Sequence, residues 1–174
     1  MVATAARLRL LVLALPAVLV ALAPASAAPS ESRTVVVARV VDGDTLVLRG
    51  GARIRLLQID APESGEECYA AASARELVRL ARPGARVALE TDPVLDRVDR
   101  FGRLLRYVHA AGRNVNVELV RRGAATPWFY DGDRGRYAAE LLSAVTRARA
   151  DRRGMWGACR VRWRADEPVL TLPR

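Results

Sequence analysis

Residues 41–63, VDGDTLVLRGGARIRLLQIDAPE, hold four carboxylates and three arginines in 23 positions. The acids are Asp42, Asp44, Asp60 and Glu63; the cations are Arg49, Arg53 and Arg55. Carboxylates, joined by a main-chain carbonyl and water, suit a hard cation such as Ca2+ or Mg2+. Arginine suits phosphate, because its planar fork donates two parallel bonds to two oxygens. Two readings are open at this point. One is a plain surface hairpin; the other is a metal site facing a phosphate.

The residues that are missing narrow the chemistry. His109 is the only histidine, so paired-histidine ribonuclease chemistry and histidine-based zinc clusters are excluded. His109 itself reads as a strand residue. There is no lysine, which removes every site that needs one. What remains is carboxylate plus arginine, the set that phosphodiester hydrolysis by water requires. Attack by water raises the charge on the phosphate, so positive charge must be supplied there while the water loses a proton. General base catalysis contributes roughly 10²–10⁴-fold and one preorganised charge donor about 10²–10³. Neither alone reaches the gains enzymes achieve on phosphate esters, so several such groups must act together.

The elements that must position these groups are short. Thr34 to Val41 is valine-rich and reads as a strand, punctuated by Asp42-Gly43-Asp44 and resumed over Thr45–Leu48. Arg49-Gly50-Gly51 is a hairpin turn. Ile54–Ile59 is a third strand, followed by a loop at Asp60-Ala61-Pro62-Glu63-Ser64. Apolar residues at helical spacing predict a helix over 67–82, stopped by Pro83-Gly84. Strands follow at 85–91 and 104–109, separated by a charged turn at 96–103. Helices are predicted over 114–122 and 137–153, and residues 160–174 read as a tail. Five short strands with a helix between the third and fourth suit a closed barrel of the OB type, in a mainly β member of the α+β class with three helices. An open α+β sheet is the alternative.

The first segment stands apart. Arg7 and Arg9, an apolar run from Leu10 to Ala23 and the small residues Ala25-Ser26-Ala27 follow the layout of a secretory signal peptide over 1–27. A short leader at 28–33 and a domain over 34–158 then follow. The apolar run is shorter than the ~20 residues of a spanning helix and contains Pro16, which argues against a membrane anchor. The expectation is an exported protein, secreted or in the periplasm or cell envelope, with no stable membrane association after cleavage. Taking Arg7 and Arg9 from the 28 arginines leaves 26 against 19 acids, a net charge of +7 that favours polyanions. Cys68 and Cys159 are the two cysteines. In an exported chain they suggest one disulfide closing a loop of about 90 residues, at most about 4–5 kcal/mol on the chain-entropy model. Two free thiols are the alternative.

Together the motifs resemble the staphylococcal nuclease family. They are Val41-Asp42-Gly43-Asp44-Thr45, Ile54-Arg55-Leu56-Leu57 running into Ile59-Asp60-Ala61-Pro62-Glu63, and Asp99-Arg100-Phe101-Gly102-Arg103. Val115-Asn116, Leu119 to Gly123, and Gly154-Met155-Trp156-Gly157 continue the likeness, which covers about residues 34–158. The resemblance implies an OB-type barrel with three helices and a Ca2+-dependent nuclease, acting on DNA and RNA and leaving 3′-phosphate ends. Asp44, Asp60 and the carbonyl of Ala61 would hold Ca2+, with Asp42 beside them. Glu63 would position or deprotonate the attacking water. Arg55 and Arg103 would clamp the phosphate, and Arg100 and Phe101 would contact substrate. The cysteine pair fits secreted bacterial members. A monomer is expected.

The chain also departs from the family pattern. Ala61 stands at a threonine position, which leaves a main-chain carbonyl ligand unaffected. Phe101 stands at a tyrosine position, keeping the ring and losing the hydroxyl. Phe129 and Tyr130 offer rings for stacking on a base or for ordinary packing. The rival function is a non-catalytic OB-fold nucleic-acid-binding module, which needs the basic surface but not the acids. A polybasic envelope protein leaves the carboxylates unexplained.

Overall fold

The computed structural model describes residues 33–65 and 67–174. The signal-peptide segment at 1–27 and nearly all of the leader lie outside the described residues. Five strands form the barrel: β1 (Arg33–Val40), β2 (Thr45–Leu48), β3 (Arg53–Leu56), β5 (Arg86–Glu90) and β6 (Leu104–Ala110). Between them lies the two-residue β4 (Ile59–Asp60). β1 pairs antiparallel with β2 and β5, β2 with β3, and β5 with β6. The barrel closes where β3 runs parallel to β6, in the register Ile54–Leu104, Arg55–Leu105 and Leu56–Arg106. Closure removes the free edges that an open sheet would present. The OB-type barrel expected from the sequence is therefore present.

Three helices complete the fold: α1 (Ala70–Leu80), α2 (Val115–Arg121) and α3 (Ala138–Ala150). α1 buries Ala70, Ser73 and Leu77, with Ala81 just beyond it, so the apolar spacing is met at Ala70, Leu77 and Ala81, while Ala74 is half-buried and Val78 exposed. Leu77, Ile54 and Leu56 are fully or almost fully buried, each worth roughly 1.5–3 kcal/mol relative to exposure. α2 is capped by Asn114, whose side chain accepts from the Val117 N–H. Asn116, entirely buried on α2, ties the barrel together. Its Oδ1 accepts from Val108 N at 3.0 Å, and its Nδ2 donates to the Leu57 carbonyl at 2.9 Å. The remaining pieces are β7 (Arg113–Asn114), β8 (Thr126–Pro127), a 3-10 turn (Tyr130–Gly132), the one-turn α4 (Met155–Ala158), β9 (Arg160–Arg162) and β10 (Leu170–Leu172).

Two segments differ from the sequence reading. The third strand is broken: β3 stops at Leu56, the chain turns at Gln58 with φ +57°, and β4 restarts at Ile59. The left-handed turn is supported by Gln58 itself. Its Oε1 accepts from the Tyr107 hydroxyl and Gly135 N, and its Nε2 donates to the Asp133 carbonyl. The stretch 160–174 is a β-hairpin packed on the domain, with Thr171 fully buried and Val169 nearly so. The Cys68–Cys159 disulfide joins the approach to α1 to the start of that hairpin.

Candidate active site

Three elements bring the acids to one place. Asp44 begins the return into β2, and its neighbour Thr45 lies opposite Arg55 of β3. The turn at Gln58 sends the chain back, so that Asp60 on β4 pairs with Thr126 of β8 beside the end of β3. Gly43 makes the approach possible. A Cβ there would overlap Ser73 Oγ of α1 and lie 2.6 Å from the Ala61 Cβ. Ser73 is held in turn by a bond from its hydroxyl to the Ala124 carbonyl. A residue without a side chain is needed for the Asp-Gly-Asp loop to lie this close.

Arg55 is the centre of the cluster. Its Nη2 lies 3.0 Å from Asp44 Oδ2 and 2.9 Å from Asp60 Oδ1. Its Nη1 donates to the carbonyls of Leu56 and Ile59 at 3.0 and 2.6 Å. Arg55, Asp44 and Asp60 are 7%, 6% and 5% exposed. The other carboxylate oxygens are also held. Asp44 Oδ1 accepts from the Thr45 hydroxyl, Asp44 Oδ2 from Ala61 N at 2.9 Å, and Asp60 Oδ2 from Val169 N at 2.8 Å. Asp42, half-buried, accepts from Asp44 N and so caps the loop.

The charge balance favours a cation. Burial pushes the Asp44 carboxyl up to about 7; Arg55 pulls it down, while Asp42 and Asp60 push it further up. Burial also raises Asp60, against the pull of Arg55 and of the Val169 N–H. One guanidinium therefore does not neutralise two buried carboxylates. Two buried carboxylates side by side are a donor type that a hard divalent ion takes. Among the described residues, no group of three or more His, Cys, Asp or Glu side chains is placed to hold a metal. Such an ion would accordingly have two carboxylates to rest on, Asp44 and Asp60, both of which Arg55 already engages.

A cleft of about 510 Å³ opens beside Arg55. Arg103, Arg100 and Phe101 line it together with Trp128 and Tyr130, so all three sequence-predicted residues of the 99–103 turn face the same space as Arg55. Arg103 Nε is 2.6 Å from Asp99 Oδ2. Burial disfavours ionised Asp99, but the amide and guanidinium of Arg103 and the Phe101 N–H hold its carboxyl below the usual range. Arg100 and Arg103 both lie over the Phe101 ring, at 4.8 and 5.4 Å from its centre. Tyr130 is 64% exposed at the cleft, whereas Phe129 is 2% exposed and belongs to the core.

Asp42, Asp44, Asp60 and Ala61 lie behind Arg55 and do not themselves line the cleft, and Glu63 belongs to neither the cleft wall nor the Arg55 cluster. Glu63 is exposed, two residues beyond Ala61; its N–H donates to Glu67 Oε2 at 2.8 Å. Three contributors have no part in the sequence reading of the site. Trp128 lies with its ring 5.7 Å from the Arg55 guanidinium, Pro168 joins the cleft wall, and Val169 lends its N–H to Asp60. The first has an aromatic signal in the sequence. The last acts through main chain and has none.

Comparison with known proteins gives a consistent result. The profile of the family described as staphylococcal nuclease homologue matches residues 53–158. The chain is 39% identical over 127 residues to an "Uncharacterized endonuclease" of Escherichia coli O157:H7, covering 69% of this chain and 74% of that protein. It is 36% identical to a "Micrococcal nuclease" of Shigella flexneri, covering 69% and 71%. It is 28% identical to "Endonuclease YhcR" of Bacillus subtilis (strain 168), covering 79% of this chain but only 12% of that longer protein.

Proposed function

Since the chain belongs to the staphylococcal nuclease homologue family, we propose that it is a Ca2+-dependent nuclease that hydrolyses phosphodiester bonds of DNA and RNA. The observation that carries this reading is one guanidinium, Arg55, shared by two buried carboxylates at the wall of a cleft that Arg103 also lines. Asp44, Asp60 and the Ala61 carbonyl would hold Ca2+, with Asp42 beside them, and the bound ion supplies positive charge next to the phosphate.

Arg103 uses only Nε on Asp99 among the described residues, so its two terminal nitrogens are available to phosphate oxygens. Arg55 couples the position of that phosphate to the acid pair. Glu63 takes the proton of the attacking water. The oxygen of that water forms a new bond to phosphorus, and the bond to the 5′ oxygen breaks. The 5′ hydroxyl leaves with a proton from solvent, and the phosphate stays on the 3′ side. None of this requires a 2′ hydroxyl, so both nucleic acids serve. Tyr130 and Phe101, exposed at the cleft, offer faces on which bases stack. We place the protein outside the cytoplasm, as a monomer freed from residues 1–27.

Plasmid DNA and a transcript incubated with purified protein, with Ca2+ or with EGTA, test the reading. Degradation only with Ca2+, yielding ends that a 3′-phosphatase can open to a polymerase, is the expected result. Gel retardation without degradation would instead identify a non-catalytic binding module.

A further inference from the structure

The β9–β10 hairpin lies beyond residue 158, where the family match ends, yet it reaches Asp60. Val169, 4% exposed, donates its N–H to Asp60 Oδ2 at 2.8 Å. The neighbouring Pro168 lines the cleft with Arg55 and Arg103. The hairpin is held firmly enough to act as a fixed support. Thr171 Oγ1 donates to the Cys68 carbonyl at 2.6 Å, Trp163 Nε1 to the Pro127 carbonyl at 2.8 Å, and Phe129 N to the Ala165 carbonyl at 2.6 Å. The Cys68–Cys159 disulfide anchors its start.

We infer that this hairpin is a positioning element of the catalytic centre, with the Val169 N–H setting the rotation of the Asp60 carboxylate. A carboxylate bonded through one oxygen alone can swing about its Cβ–Cγ bond. Asp60 is bonded through both, by Arg55 from the barrel and by Val169 from the hairpin. The two supports come from segments far apart in the chain and hold one oxygen each, so the plane of the carboxylate is fixed before any ligand arrives. Donors that orient a ligating group from behind typically account for 10–100-fold in metal affinity or activity. The inference rests on the function proposed above.

Cys159 allows an atom-level test. The chain ending at Ala158 as a thioester is ligated to a synthetic peptide of residues 159–174, in which Val169 is replaced by its α-hydroxy acid. An ester oxygen then stands where the N–H was, and the side chain is unchanged. The all-amide ligation product is the control. Calorimetric titration with Ca2+ is expected to show affinity about ten-fold weaker or more in the ester chain, with lower turnover at saturating Ca2+. Arg160→Ala, which removes the bond from Arg160 Nε to the Pro173 carbonyl at the far end of the hairpin, is expected to leave Ca2+ affinity unchanged.

An ester chain that melts earlier but binds Ca2+ and turns over like the control overturns the inference, as does Arg160→Ala weakening Ca2+ binding equally. In the unmodified protein, the Val169 amide resonance is expected to move on Ca2+ addition together with that of Ala61. A shift at Ala61 with none at Val169 also overturns it. A control that neither binds Ca2+ nor cleaves would defeat the proposed function and this inference with it. An active control matched by its ester chain defeats this inference alone.

Discussion

Nη2 of Arg55 stands 3.0 Å from Oδ2 of Asp44, and each side chain is less than a tenth exposed. The pair forms across the β2–β3 ladder, where Thr45, the residue after Asp44, faces Arg55. One side chain thus links the Asp42–Asp44 loop, the barrel wall and the turn into Asp60.

Arg55→Lys keeps the charge and loses the fork. An ammonium cannot satisfy the carbonyls of Leu56 and Ile59 and two carboxylates at once. We expect a stability loss of about 2 kcal/mol or more and a fall in turnover of about 10²-fold or more. Urea unfolding and cleavage kinetics measure the two separately. A lysine variant with normal kcat would remove the guanidinium from the proposed mechanism.

The Asp44 carboxyl gives a pH dependence with a definite sign. Its folded pKa of about 7 lies above the ordinary 3.8, so the folded chain binds that proton more tightly than the unfolded chain. The stability contributed by this group is full below 3.8 and is lost as pH rises through 7. In EGTA, the wild-type chain should lose stability between about pH 4 and 7, and level off above that, relative to Asp44→Asn, which carries no proton to lose. Denaturant melts across that range should show the two curves diverging. Parallel curves would mean that Asp44 ionises in the fold without penalty.

Gly43→Ala places a methyl group against Ser73 and Ala61. Overpacking of this kind costs about 1–3 kcal/mol, and here it also pushes the Asp42–Asp44 loop away from Asp60. The variant is expected to melt earlier and to require more Ca2+ for half-maximal activity. Ser73→Ala should rescue it only in part, because the contact with Ala61 remains. An alanine variant with unchanged melting would show that the loop has space to yield.

Glu63→Gln tests the residue that the geometry supports least directly. It is exposed, three residues beyond Asp60 in the chain, and outside the cleft wall. Turnover should drop by about 10²–10⁴-fold while nucleic-acid retention on gels persists. Activity equal to wild type would assign the proton transfer to another base.

Much of the site is legible from residue type. Asp44, Asp60 and Arg55 stand out because carboxylates and arginines crowd 23 residues of an otherwise apolar frame, and their roles come from the family resemblance of the motifs that hold them. Arg100, Phe101 and Arg103 come with a turn whose glycine and acid mark it. Gln58 gives no warning that it adopts φ +57°, since left-handed backbone favours glycine or asparagine. Here burial and three side-chain bonds override local preference. The hairpin at 160–172 is equally silent: its strands are three residues each, too short for alternation to be recognised. The Val169 amide carries no side-chain signature at all.

The parallel seam between β3 and β6 has a wider consequence. Arg55 sits on one side of it, and Arg103 immediately precedes the strand on the other, some fifty residues later in the chain. Neither half of the polypeptide holds both guanidinium groups in register by itself. The two guanidinium groups therefore come to line one cleft only when the β3–β6 seam closes, so the cleft is a product of the completed topology and of no single segment.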